Sequence, residues 1–301
     1  MYDSGFVVIT SNLIIDEECL PFKVSDTISL SKGTEFERDS FQKVIKDAGY
    51  FAKLVLLPGT EKEVSEKDGS VSWKSNENFI PYIFTFRNFN HLVPELELAG
   101  ALMQPKLLCG MQAGYSDKNH DSISYYTLMS SENMHWMGEQ AKNPPKTYQR
   151  VDLNDFSQVF NIIISLSSEN HYKRILELYK STMLIIKNTS LLTLSYFSVL
   201  EALLTNQDGL SITKQLERKI NLIFNIDGEV ESAPYFGSVS SKKLWANLYG
   251  LRSNIAHGNS YTIDSTLKSF ENVNDYLDLV VVKILRFSLN NQKLVEDLKA
   301  C

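Results

Sequence analysis

The chain has 301 residues, 43% of them hydrophobic and 22% charged, with a formal net charge of −6. That length allows two ordinary domains and a sizeable core. The acidic balance argues against a protein that coats nucleic acid through bulk positive charge, though a local basic site is compatible with it.

From Tyr2 to Tyr148 the apolar residues alternate or come in short runs. FVVIT, NLIID, FAKLVLL, SVSW, FIPYIFTF and ISYYTLM have strand length and strand composition, and turn residues such as Pro58-Gly59 and Asp68-Gly69 punctuate them. FERDSFQKVIKDAG reads as a helix instead, with Phe41, Val44, Ile45 and Ala48 on one face and Gly49 as its stop. Residues 1–148 are therefore expected to form a mostly β domain, a sandwich or a small barrel. The polar stretch GEQAKNPPKTYQR follows. Its proline pair, Pro144-Pro145, disfavours helix and central strand, which marks a linker; Lys142, Lys146 and Arg150 could meet a phosphate backbone, but a solvated linker is the plainer reading.

After Val151 the rhythm changes to 3.6 residues. Phe156, Val159, Phe160 and Ile163 form one stripe, and Tyr172, Ile175, Leu176 and Tyr179 another. SLLTLSYFSVLEALLTN is apolar on most sides and reads as a central helix. Ser211 suits the N-cap of SITKQLERKINLIFN, and NIDGEVESAPYFGSVS reads as a surface loop. Ser240 or Ser241 can cap the next helix, through Trp245, Leu248 and Leu251. Asp264 or Ser265 is expected to open a long last helix. The fold class expected is thus α+β, a β-rich amino-terminal domain and then an all-α bundle over 149–301.

No apolar run reaches the roughly 20 uninterrupted residues of a membrane span, and MYDSGFVVITSNLII lacks the basic lead of a secretory signal. Cys19, Cys109 and Cys301 lie far apart, which suits a reducing compartment. A cytoplasmic protein with no membrane partner is expected. His91, His120, His135 and His171 show no zinc spacing, and P-loop, GxGxxG and GxSxG motifs are missing from the sequence, so neither metal nor cofactor is expected. Tyr125, Tyr126, His135 and Trp136 can stack on bases, but packing in a core is the plainer role.

The stretch LWANLYGLRSNIAHGNSY, Leu244 to Tyr261, is the most informative. Gly258 suits a left-handed helix stop, and a histidine in the last turn interacts well with the helix dipole; an arginine, four residues and a histidine would on that account only finish a helix. Arg252 and His257 are also a chemically apt pair. Histidine exchanges protons near neutral pH, and the arginine fork fits the oxygens of a phosphodiester. Together they suit RNA cleavage by the ribose 2′-hydroxyl. Five helical steps, however, place them roughly 140° apart around the axis, so a site shared between two copies is more natural than one within a chain. Glu201 stands in a largely apolar helix, where a carboxylate needs a partner; Arg252 is the candidate, against an exposed edge with Ser198 and Thr205.

SYFSVLEALLT, then SITKQLERKINLIF, then KKLWANLYGLRSNIAHG together resemble the ApeA-like branch of the HEPN superfamily, helical domains marked by an arginine, four to six residues and a histidine. The resemblance is carried by Leu191 to Gly258 and extends over Asp152 to Leu298. It implies a metal-independent endoribonuclease of antiviral, abortive-infection or toxin type, a homodimer with both motifs in a shared cleft and RNA as substrate. It also implies a regulatory protein or phage-derived trigger as a further partner, with residues 1–148 as a sensing or regulatory domain. On this resemblance Arg252 and His257 are the catalytic pair, and Glu201, Ser253 and Asn254 support them. Many relatives carry Asn, Asp or His directly after the arginine; here Ser253 stands there and Asn254 follows. Some HEPN domains bind or scaffold without cutting, which is the alternative.

Overall fold

A computed structural model gives the protein's structure over residues 4–11, 13–47, 60–65, 68, 70–75, 78–87, 92–115, 122–128, 145–206 and 212–300. The expectations for FAKLVLL, Pro58-Gly59, Ser211, His91, His120, His135, Trp136, Lys142 and Cys301 fall outside these residues. The chain divides into two compact units, Met1–Ile164 and Ser165–Cys301. An antiparallel sheet dominates the first and helices make the second, so the fold is α+β, with the β part amino-terminal.

In the first unit the strands are β1 (Ser4–Ile9), β2 (Leu13–Ile15), β3 (Phe22–Lys23), β4 (Ile28–Lys32), β5 (Thr60–Val64), β6 (Val71–Ser75), β7 (Tyr82–Arg87), β8 (Cys109–Tyr115), β9 (Ile123–Leu128) and β10 (Lys146–Tyr148). The helices are α1 (Glu35–Asp47), α2 (Val93–Ala101) and α3 (Arg150–Ser165). Six strands form one antiparallel sheet in the order β3-β4-β7-β1-β8-β9. Six of the described strands thus make one open sheet, with β3 and β9 at its edges, while β2 with β10 and β5 with β6 form two-stranded sheets, where a sandwich or small barrel was expected. The reason lies in β1, whose residues Gly5 to Ile9 are all buried. Register puts Val7, Phe84 and Leu30 on one face and Phe6, Val8 and Ile83 on the other, and each is at most 1% exposed. A strand buried on both faces needs cover on both. On one face Phe156 of α3 stacks on Phe84, ring centroids 5.4 Å apart; elsewhere Phe36 of α1 and Phe6 each lie 6.0 Å from the ring of Tyr115. Gly5 cannot carry a side chain, because a Cβ there would lie 2.1 Å from the carbonyl oxygen of Ala113.

The tail of the polar stretch is not free chain. β10 pairs in parallel with β2, Tyr148 is fully buried and donates to the carbonyl of Pro105, and Lys146 donates to the carbonyl of Gln104. The Arg150 guanidinium lies 5.6 Å from the centre of the Phe22 ring. α3, placed with the helical half by its rhythm, packs with the strands: Ser157 Oγ donates to the Val24 carbonyl at 2.7 Å. The division by packing at 164/165 therefore falls one helix after the change of rhythm at 148/149.

The second unit holds α4 (His171–Thr182), α5 (Ser190–Leu204), α6 (Ile212–Asp227), α7 (Ala233–Phe236), α8 (Ser241–Ala256), α9 (Phe270–Asn290) and α10 (Gln292–Ala300). α5 is the hub: α4, α6, α8, α9 and α10 all contact it. Its apolar residues on nearly every side make any solvent-facing position costly. Leu192, Tyr196, Phe197, Val199, Leu200 and Leu204 are completely buried.

Polar groups cross this core in an ordered way. The hydroxyls of Tyr179 and Tyr196 both donate to Oδ1 of Asp278, at 2.9 and 3.2 Å. Burial, then the charge of Asp278, pushes both phenols well above their ordinary range. One turn earlier Asn274 accepts from Thr193 at 2.7 Å and donates to the carbonyls of Lys187 and Thr189. Every buried polar atom named here has a partner, as burial demands.

Two helix boundaries depart from expectation. α9 opens at Ser269, whose Oγ accepts from the N–H of Asn272 at 3.1 Å, not at Asp264 or Ser265. Asp264 instead caps a single turn through Thr266 and Leu267, and Lys268, with φ 62°, prevents that turn from continuing. The segment after α6 is more than a surface loop, since α7 tucks Phe236 edge-on against Tyr276 at 5.4 Å. Ser240 caps α8, as expected, by accepting from the N–H of Lys243.

Candidate functional site

α8 lays Leu244, Trp245, Leu248 and Leu251 into the core. Tyr249, Arg252 and Ser253 follow at the edge of that face, with spacings of three and four residues that align them along the helix. α5 presents Glu201 from its own edge, beside Ser198 and Thr205. Arg252 Nη2 donates to Glu201 Oε2 at 2.7 Å, and the two side chains are only 19% and 18% exposed. The carboxylate in an apolar helix thus has its partner. The pair is closed on one limb only: Arg252 Nε and Glu201 Oε1 are both buried and form no hydrogen bond with a described residue. A side-on fork, Nε to Oε1 beside Nη2 to Oε2, would satisfy both. The Arg252 guanidinium also lies 5.6 Å from the centre of the Tyr249 ring, and Tyr249 meets the buried ring of Phe197 edge-on at 5.9 Å.

His257 is placed by main-chain bonds. It is the C-cap of α8, exposed, and its N–H donates to the carbonyl of Ser253 at 3.1 Å. Gly258 follows at φ 65°, donating to Ile255, and Asn259 donates to Asn254 at 3.0 Å. These two bonds are the Schellman pattern, which uses the last free carbonyls of the helix. The helix-stop reading of this segment therefore describes what its backbone does. The His257 ring makes no hydrogen bond with a described residue.

The structure brings together Glu201, Arg252 and Tyr249, and no hydrogen bond among the described residues joins the His257 ring to them. Asn254 turns toward Asn259, whose Nδ2 donates to its Oδ1 at 3.4 Å. Ser253 meets His257 through its carbonyl, so neither supporting side chain bonds the imidazole. Sequence reasoning missed Tyr249; its signal was an aromatic residue three positions before the arginine on one helix. Among the described residues no group of three His, Cys, Asp or Glu side chains is arranged to hold a metal ion. His171 Nε2 accepts from Lys299 Nζ at 3.3 Å; burial, then the Lys299 charge, lowers its pKa. The strand unit has a concavity of its own, about 520 Å³, lined by Ser29, Thr85, Arg87 and Tyr115 among others. Tyr115 is fixed there by donating to Glu37 at 3.1 Å.

Replacing Glu201 by alanine is expected to lower the unfolding free energy by about 1–3 kcal/mol, because it leaves Arg252 shielded without an acceptor. Glutamine should recover part of that loss, since its amide oxygen still accepts. Urea unfolding of the three proteins measures both changes.

No helix of the described chain is long and apolar enough to cross a membrane. No protein-family model, no curated protein and no solved structure matches this chain.

Proposed function

We propose that this chain is a metal-independent endoribonuclease of the HEPN type, acting in the cytoplasm in antiviral, abortive-infection or toxin-type defence. The observation that carries the reading is the held arginine. Nη2 of Arg252 is committed to Glu201 while Nη1 forms no hydrogen bond with a described residue, so a positioned cation has donors to spare. In the proposed reaction the ribose 2′-hydroxyl attacks the adjacent phosphorus and the 5′-oxygen leaves. His257 transfers a proton, and Arg252 stabilises the charge that builds on the phosphoryl oxygens. The products are a 2′,3′-cyclic phosphate and a 5′-hydroxyl. Because His257 and Arg252 are not joined within one chain, a second copy completes the site, which makes the working form a homodimer. The strand unit, with its own cavity, is assigned the sensing of a regulatory protein or phage-derived trigger.

One observation favours a second reading. Nothing described bonds the His257 ring, and a general acid or base is ordinarily oriented by a neighbour. A helical module that binds RNA, a nucleotide or a protein without cutting would need no such orientation.

Incubating the purified protein with single-stranded RNAs in EDTA separates the two. Persistent cleavage with cyclic-phosphate ends is expected. Loss of all cleavage in EDTA contradicts the mechanism, and binding without cleavage favours the module.

A further inference from the structure

We infer that Tyr249 is a positioning residue for Arg252, a ring shelf that fixes the plane of the guanidinium while Glu201 fixes its edge. The inference rests on the nuclease reading for its consequence but not for its geometry.

An arginine side chain has four rotatable bonds, and a single hydrogen bond at one nitrogen leaves the guanidinium free to pivot about it. Glu201 supplies only that one bond, 2.7 Å from Oε2 to Nη2. A second restraint is needed before the remaining donors point one way. Tyr249 provides it: three residues earlier on α8 is one turn away, and the guanidinium carbon sits 5.6 Å from the ring centre, within the range of cation–π attraction. The ring is itself held. Phe197, fully buried in α5, meets it edge-on at 5.9 Å with an interplanar angle of 85°, the arrangement that aromatic quadrupoles favour. Phe197 and Glu201 are four residues apart on α5, so a single helix supports both restraints, one through the ring and one directly. Arg252 is thus clamped between two residues of α8 and α5 whose own positions are set by the core. The Tyr249 hydroxyl makes no hydrogen bond with a described residue, so the role belongs to the ring face and not to the oxygen.

That distinction gives the test. In full-length protein, Tyr249→Phe should cut RNA like the parent. Tyr249→Leu, which keeps bulk but loses the ring, should lower kcat about 3- to 30-fold with KM little changed, since the loss lies in orienting a transition-state contact. A second readout needs no activity. The Arg252 Hε resonance, assigned by its disappearance in Arg252→Lys, should be displaced upfield by the ring in the parent and in Tyr249→Phe. It should return toward the ordinary arginine position in Tyr249→Leu. Equal impairment of both Tyr249 variants, an undisplaced Hε in the parent, or a leucine variant that matches the parent in kcat would each overturn the inference. If no RNA is cut by any form, the nuclease reading has failed, and the Hε measurement on the parent alone still decides whether the shelf exists.

Discussion

Alanine in place of His257 is expected to reduce RNA cleavage by about 10²–10⁴-fold, the usual contribution of a positioned proton donor or acceptor. The fold should not suffer. Every bond His257 makes to the described chain is through its backbone, and alanine preserves the N–H to Ser253 and the turn through Gly258 and Asn259. The imidazole is exposed and buries nothing that alanine would leave empty. Circular dichroism and a urea midpoint equal to the parent's should therefore accompany the kinetic loss. Arg252→Lys makes a useful companion. It keeps the charge but loses the planar fork, and the fork is what a phosphodiester requires. A folded His257→Ala protein that cuts at the parental rate would remove the proton-transfer role altogether.

The largest stability effect is expected at Asp278. Its Oδ1 accepts a hydrogen bond from the hydroxyl of Tyr179 and another from that of Tyr196, both completely buried. Asp278→Ala leaves two donors in the core of the helical unit without their acceptor, at about 1–3 kcal/mol each, or about 2–6 kcal/mol together. Asp278→Asn should lose less, because the same oxygen position still accepts both bonds. Urea unfolding followed by far-ultraviolet dichroism reports the difference, and an alanine variant with the parent's midpoint would show that the two phenols find other partners. The effect on cleavage should track the fraction folded, since Asp278 touches neither Glu201 nor Arg252.

What could be read in advance followed the physics of each signal. The α+β division was legible because strand and helix periods differ, and Ser240 was legible because capping is a local event. The Glu201–Arg252 pair was legible only in part: a carboxylate in an apolar helix needs a partner, but the residues left an exposed edge with Ser198 and Thr205 equally open. Failures came where a local signal competed with a distant one. Asp264 looks like a helix cap and is a cap, but of one turn, and only the backbone of Lys268 decides that the turn ends. Asp278 gives no local signal, since the tyrosines that need it are 82 and 99 residues away. Tyr249 was invisible as a site residue because an aromatic side chain in an apolar helix looks the same whether it fills a core or lies beside a guanidinium. The open sheet was hidden too. Alternation marks a strand but not what covers its second face.

One consequence concerns how such a chain can be recombined. The boundary between the compact units falls in the last turn of α3, not at the proline pair. The element that closes over Phe84 is therefore encoded after the most obvious seam in the sequence. A genetic exchange at residue 148 would deliver strands without Phe156 and helices with an ownerless α3. One falling just after Ser165 would deliver each unit with its own covering. The amino-terminal unit thus ends with a helix, and exchange of that unit against other domains is expected to fall in the short segment between Ser165 and Asn170.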